Sequence, residues 1–222
     1  MRVTEQIDAL ESMGAYLRTL SAFEVVAETS QDLVTVEDEK LKLDGVNKYR
    51  VRHPDNFVVE VATDWRVRRL TYDGKALTLA APELGFYATV PAAGASSTVL
   101  ETASQKYGLT IPLADLFTWT DPSQNNRPAP TSATVLGGAK VGGVQADRYA
   151  FREEEVDWQI WIQRGDNPVP LKIVITDKSD AVLPQYSAIL KWNTAPQFSA
   201  DAFTFRPEPG AMPIRLSTSA TQ

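Results

Sequence analysis

From Phe23 to Trp192 the chain repeatedly alternates apolar and polar side chains with a period of two, and this constrains its fold more than any other feature. Successive side chains of a β-strand point to opposite faces, so each such run makes a strand with one apolar face. Residues 156–175, VDWQIWIQRGDNPVPLKIVI, show both the pattern and its exception. Val156, Trp158, Ile160 and Ile162 share one face, and Asp157, Gln159 and Gln163 share the other. Trp161 stands among the polar positions, so it either packs beneath the Pro-rich stretch 120–134 or faces a partner.

The same alternation recurs along the chain. Phe23, Val25 and Ala27 alternate with Glu24 and Glu28, and the acidic turn EDEK leads into VNKYRVRHP. There Lys48, Arg50 and Arg52 form a basic stripe of the kind that faces solvent. FVVEVA, RVRRLTYDG and KALTLA follow, and Asp73-Gly74 is the dipeptide of a two-residue hairpin. Later come ATVLGGAKVGG, VQADRYAFREEEV, LPQYSAILKWN and AFTFRPEPG.

Two regions depart from period two. Residues 4–20 space Ile7, Leu10, Met13, Leu17 and Leu20 by three or four, which predicts an amphipathic helix laid across the concave side of the sheet. Thr98 and Glu101 have the spacing of a capping box ahead of Leu100, Ala103 and Tyr107, with Gly108 as the stop. Pro112 is expected to open a further short helix in PLADLFTW. Segment 120–134, TDPSQNNRPAPTSAT, reads as an irregular excursion and 212–222 as a flexible tail. The expected architecture is mainly β, a single domain over residues 1–222.

Composition narrows the function. With 43% hydrophobic and 23% charged residues the chain can bury a real core. Its net charge of −6, from 22 basic and 28 acidic residues, gives nucleic acid no electrostatic reason to bind. The absence of cysteine removes disulfides, thiolate metal sites and thiol nucleophiles. No apolar run is long enough to span a bilayer, and MRVTEQIDAL lacks the apolar segment of a signal peptide.

Catalytic equipment is sparse. The one histidine, His53, precedes Pro54 and reads as a turn residue, so a multi-histidine metal site is excluded. GGAKVGG has glycines without a following helix and does not read as a nucleotide loop. GDN at 165–167 resembles a turn. Glu153, Glu155 and Asp157 can line one side of a strand, and like charges in such a row are solvated unless a cation joins them. The expectation is a protein that is not an enzyme and uses no cofactor or metal.

YRVRHPDNFVVEV followed by TYDGKALTLAAP resembles the periplasmic lipoprotein-carrier superfamily with the LolA/LolB-like fold, in which a strand runs into a basic residue and proline ahead of an Asp-Gly hairpin. SADAFTFRPEPGAMPI is similar to that family's closing strand, and TLSAFEVVAET to its opening. VDWQIWIQ and PLADLF bring the chain closest to an uncharacterised group of predicted periplasmic proteins. Where the carriers place arginine directly before the proline, this chain has His53, with Arg52 one position earlier. A shift of one on a strand flips the side chain to the other face, so Arg52 does not inherit the arginine's role.

The resemblance implies a curved antiparallel sheet, an unclosed barrel, whose mouth is covered by helices over an apolar cavity. It implies a periplasmic, monomeric protein that binds a hydrophobic ligand, an acyl chain, lipid or lipidated protein, with an envelope protein as a further partner. The apolar strand faces then nominate Phe57, Val59, Trp158, Ile160, Leu171, Ile173, Tyr186 and Trp192 as cavity lining. Leu10, Leu17, Leu113 and Phe117 are nominated for the helical lid. The rival expectation is a protein-binding sensor or scaffold on the same fold with a filled core.

Overall fold

The computed structural model describes residues 4–121 and 131–218. Among these residues three α-helices are formed, α1 (Thr4–Thr19), α2 (Ser96–Tyr107) and α3 (Asp115–Thr120). The strands of the first half are β1 (Ala22–Val34), β2 (Lys40–Arg52), β3 (Asn56–Thr63), β4 (Arg66–Tyr72), β5 (Ala76–Ala81) and β6 (Phe86–Pro91). Those of the second half are β7 (Ser132–Val141), β8 (Val144–Arg152), β9 (Val156–Gln163), β10 (Pro170–Asp177), β11 (Gln185–Asn193) and the two-residue β12 (Met212–Pro213).

All of the strands join one sheet in the order β12-β6-β5-β4-β3-β2-β1-β11-β10-β9-β8-β7. The two ends of that order do not pair, so the sheet is not closed into a barrel. The hairpin neighbours β3 to β6 and β7 to β11 run antiparallel. The short β12 is parallel to its neighbour, Met212 lying opposite Phe86 and Pro213 opposite Tyr87. The mainly β, unclosed antiparallel architecture expected from the sequence is the one observed.

The contacts divide the chain into two compact units. One comprises Met1–Thr19, Ala27–Val46 and Gln124–Trp192, and the other Leu20–Val26, Asn47–Ser123 and Asn193–Gln222. Each is assembled from three separated stretches, so no linker composition in the sequence marks them.

In the first unit α1 packs against β7, with Met13 and Leu17 wholly buried. Ile7 and Leu10 flank this stripe and are half-buried. At the other side of the unit Asp32, its side chain only 3% exposed, receives Lys42 at 2.7 Å and Lys40 at 3.8 Å. The Gln185 amide donates to the same carboxylate at 2.9 Å. The Lys42 hydrogen bond, more than any other influence, holds the Asp32 carboxyl below its usual range, against the opposing effect of burial. A carboxyl held low in the fold stabilises it above the unfolded-state pKa, near ~3.9, and that contribution is lost as pH falls through the lower folded-state value. Asp32→Asn is expected to cost about 1 kcal/mol at neutral pH, since Lys42 is exposed, and the deficit should vanish in acid. Urea unfolding of both proteins at pH 7 and pH 3 checks this; an equal deficit at both would rule out the charge as its source.

In the second unit the Asp73-Gly74 hairpin forms between β4 and β5 as expected. Asp73 Oδ1 accepts the amides of Lys75 at 2.9 Å and Ala76 at 2.8 Å. Gly74 adopts φ +88°, and a Cβ there would meet Asp55 Oδ2 at 3.1 Å. Both the backbone and the space call for glycine.

Several local expectations need correction. The helix α2 starts at Ser96, two residues before Thr98, so Thr98 lies inside the first turn and no side-chain cap forms. Instead Ser96 donates its amide and hydroxyl to the Pro54 carbonyl. The stop at Gly108 is as expected, with φ 64° and its amide bonded back to the helix. Pro112 does not open α3, which begins at Asp115; its carbonyl accepts the Tyr49 hydroxyl at 2.8 Å, and Leu113 takes φ 55°. AFTFRPEPG forms no strand, because Phe203 is drawn into the core at 2% exposure and the segment turns around it. Of the excursion 120–134, Thr120 ends α3, Ser132–Thr134 begin β7, and residues 122–130 lie outside the described residues. Residues 219–222 of the tail do as well, whereas Met212 and Pro213 are paired in the sheet.

Candidate hydrophobic-ligand site

Register settles which side chains share a face, because residues directly opposite one another on neighbouring strands point the same way. In the second unit Phe57 lies opposite Tyr72, Val59 opposite Leu70, and Leu70 opposite Leu79. Helix α3 covers this apolar face: the Phe117 ring meets Phe57 edge-on at 5.2 Å, and Phe57 lies 5.5 Å from Tyr72. Two tyrosines satisfy their hydroxyls at its margins, Tyr49 on Pro112 and Tyr72 on the Gly94 carbonyl at 2.8 Å. Phe57 and Val59 are wholly buried, and Leu113 and Phe117 nearly so.

Between α2 and α3 runs a groove of about 370 Å³. Leu100, Leu109, Ile111 and Phe117 give it apolar walls, and Glu101, Gln105 and Thr118 lie at its polar edges. Phe117 thus serves two surfaces, the sheet face through Phe57 and the groove between the helices. Sequence reasoning misses this groove because it depends on where α2 and α3 begin, and local signals place both helix starts two or three residues away from the observed ones.

The opposite sheet face of the same unit is polar. Arg69 forks onto Glu60 at 2.8 and 3.2 Å, and Lys48 reaches Glu60 at 3.8 Å. Arg52 bonds Asn56 through two nitrogens and lies over the Phe203 ring, 4.6 Å from its centroid. The basic stripe is therefore partly occupied, and the closing segment lies against it. Next to Arg52, His53 lies 5.8 Å from the Phe23 ring. Burial holds its imidazole below the usual range, against the pull of Asp121, and Nε2 has no hydrogen-bond partner. The Ser97 hydroxyl donates a hydrogen bond to Asp121, so it is Asp121 and not His53 that this serine engages.

In the first unit Trp158, Ile160, Ile173, Tyr186 and Trp192 gather on one face of β9, β10 and β11, and Leu171 lies at a bulge between Pro170 and Lys172. Ile160 lies opposite Ile173, and Ile173 opposite Ala188; Trp158 lies opposite Ile175, and Ile175 opposite Tyr186. Ile160, Leu171 and Ile173 are buried. Trp158 and Trp192 are half-buried. The Trp158 ring stacks on Phe151 at 4.2 Å and its indole N–H donates to Glu153 at 2.8 Å. Trp192 donates to the Pro170 carbonyl at 2.7 Å. Leu10 and Leu17 belong to this unit and Leu113 and Phe117 to the other, so the nominated residues form two groups, each within its own unit.

Trp161 lies on the opposite face of β9, in register with Arg148 and Lys172. The Lys172 ammonium stands 4.9 Å and the Arg148 guanidinium 5.8 Å from its ring. The two cations rest on the π-face of an indole that is only 8% exposed. A large aromatic is thereby tolerated on a polar face. Two members of the acidic run are accounted for: Asp157 pairs with Lys178 at 3.0 Å and Arg152 at 3.2 Å, while Glu153 holds the Trp158 indole, and Glu155 is exposed. Among the described residues no group of three or more metal-ligating side chains could hold an ion.

An unclosed antiparallel sheet with helices packed on an apolar face defines the class of protein. Residues 7–217 match the family described as predicted periplasmic protein (DUF2092), and the chain belongs to that family. This is a periplasmic family, as the motifs implied, and no described helix is long and apolar enough to cross a membrane. No curated protein matches the sequence. Among solved structures, an uncharacterized conserved protein from Thermus thermophilus is similar at 12% identity and TM-score 0.54, over 95% of this chain and 99% of that one. The lipoprotein LppX from Mycobacterium tuberculosis matches at 10% identity and TM-score 0.50, over 86% and 96%. A LolA superfamily protein from Nitrosomonas europaea matches at 10% identity and TM-score 0.41, over 90% and 97%.

Proposed function

We propose that the chain is a non-catalytic periplasmic protein that binds a hydrophobic ligand, an acyl chain of a lipid or lipidated protein, at the helix-covered side of its second unit. The observation that carries this reading is the groove between α2 and α3, with Leu100, Leu109, Ile111 and Phe117 on its walls. Each methylene taken from water contributes about 0.8 kcal/mol, so a long acyl chain laid in such a groove binds well even after ordering costs.

Ala114, exposed on the groove, offers a clean test. Ala114→Trp fills the groove from a solvent-facing position, and is expected to weaken palmitate binding at least about tenfold with the melting temperature unchanged. Calorimetric titration of wild type and variant reads this directly. If the wild type shows no saturable binding, the ligand reading fails. A second reading, a protein-binding sensor or scaffold with a filled core, then takes its place. It is favoured by the complete burial of Leu17, Phe57, Val59 and Ile160, which leaves those nominated positions packed against neighbours.

A further inference from the structure

Arg68 stands on the apolar face of β4. It lies directly opposite Val61 and two positions from Leu70, both buried, on the face that carries Phe57 and Val59. Its guanidinium is half-buried and makes no hydrogen bond or ion pair with any described residue. Arg69, on the polar face, is by contrast held by Glu60. The carboxylates nearby in sequence and space are placed elsewhere: Asp64 is in the exposed β3–β4 turn, and Glu83 accepts the Val67 amide at 3.3 Å. Arg66, two positions earlier and exposed, adds a second positive charge to the same face. Burial, and secondarily the charge of Arg66, lowers the affinity of Arg68 for its proton.

A half-buried cation without a counter-charge keeps only part of its hydration, and an anion can replace what is lost. The surface beside Arg68 is suited to an anion with an apolar tail. Leu79 on β5 and Phe86 and Val90 on β6 share its face and are only half-buried. A guanidinium fork matches the paired oxygens of carboxylate and phosphate alike. We propose that Arg68 binds the anionic headgroup, carboxylate or phosphate, of a single-chain amphiphile whose tail lies on the apolar face beside Leu79, Phe86 and Val90. This place on the sheet face shares no lining residue with the groove between α2 and α3, so the proposal goes beyond the ligand reading above while resting on its premise of a hydrophobic ligand.

The test compares three probes of equal chain length by calorimetric titration: palmitate, hexadecyl phosphate and the uncharged hexadecanol. Wild type is expected to bind at least one anionic probe about tenfold or more tightly than hexadecanol, and the probe preferred tells carboxylate from phosphate. Arg68→Gln should abolish that preference and leave hexadecanol binding unchanged. In the ligand-free protein the same variant should keep or raise the melting temperature, because it removes an uncompensated charge. A marked fall would show that the guanidinium already has a structural partner, and would overturn the proposal. Equal binding of all three probes by wild type, or a preference that survives in Arg68→Gln, overturns it while the ligand reading stands. If none of the three binds, both fail together.

Discussion

Leu17→Asp is expected to destabilise the protein by about 4 kcal/mol or more, a large fraction of the stability of a typical domain. Leu17 is wholly buried on the stripe of α1 that packs in the first unit, beside the equally buried Met13. A carboxylate introduced into that apolar stripe must either lose its charge or pull the helix from β7. Urea unfolding followed by tryptophan fluorescence measures the loss. A soluble, cooperative variant with an unchanged midpoint would show that α1 does not dock through this face.

Phe57→Ala is expected to cost about 3–5 kcal/mol, the range for truncating a buried aromatic that leaves a cavity behind. Its ring touches both Tyr72 and Phe117, so the loss includes the contact between the sheet and α3. The variant also bears on the ligand. If an acyl chain reaches the space the ring vacates, palmitate should raise the midpoint of Phe57→Ala more than that of wild type. An equal rise in both places the ligand away from this ring, and a loss below about 1 kcal/mol would mean that the site collapses without a cavity.

Legibility in the sequence followed the range of the forces involved. The period of two located β1 to β5 and β7 to β11, because alternation is written into every residue of a strand with one wet face, whereas β6 (Phe86–Pro91) was not singled out. The Asp73-Gly74 turn was equally plain, since a dipeptide specifies it. Helix starts were less plain. Ser96 gains its partner from Pro54, far away in sequence, and no local capping rule could reveal that. The closing segment misled for a similar reason: Phe203 and Phe205 alternate as a strand would, yet Phe203 is held by packing and by Arg52, and Phe205 by the Tyr87 ring at 5.2 Å.

The site was legible only in part. Phe57, Val59, Ile160 and Ile173 were assigned to apolar faces and lie on them, but a face does not say whether it is open or packed. The groove between α2 and α3 and the position of Arg68 emerged only with register and helix placement. Trp161 had a signal in the sequence after all. Arg148 and Lys172 flank it across the ladder, and alternation alone puts both on polar faces; only the pairing of β8, β9 and β10 shows that they meet the indole.

The short β12 bears on how the sheet ends. An outermost strand offers a row of unused amides and carbonyls, a template on which another chain can grow. Here Met212 and Ile214 donate their amides to the carbonyls of Gly85 and Tyr87, so part of the β6 border is already taken. Pro213, between them, has no N–H to offer in turn. This segment thus forms a selvedge along β6: it takes up part of that border and places there, at Pro213, a residue that cannot donate to an added strand.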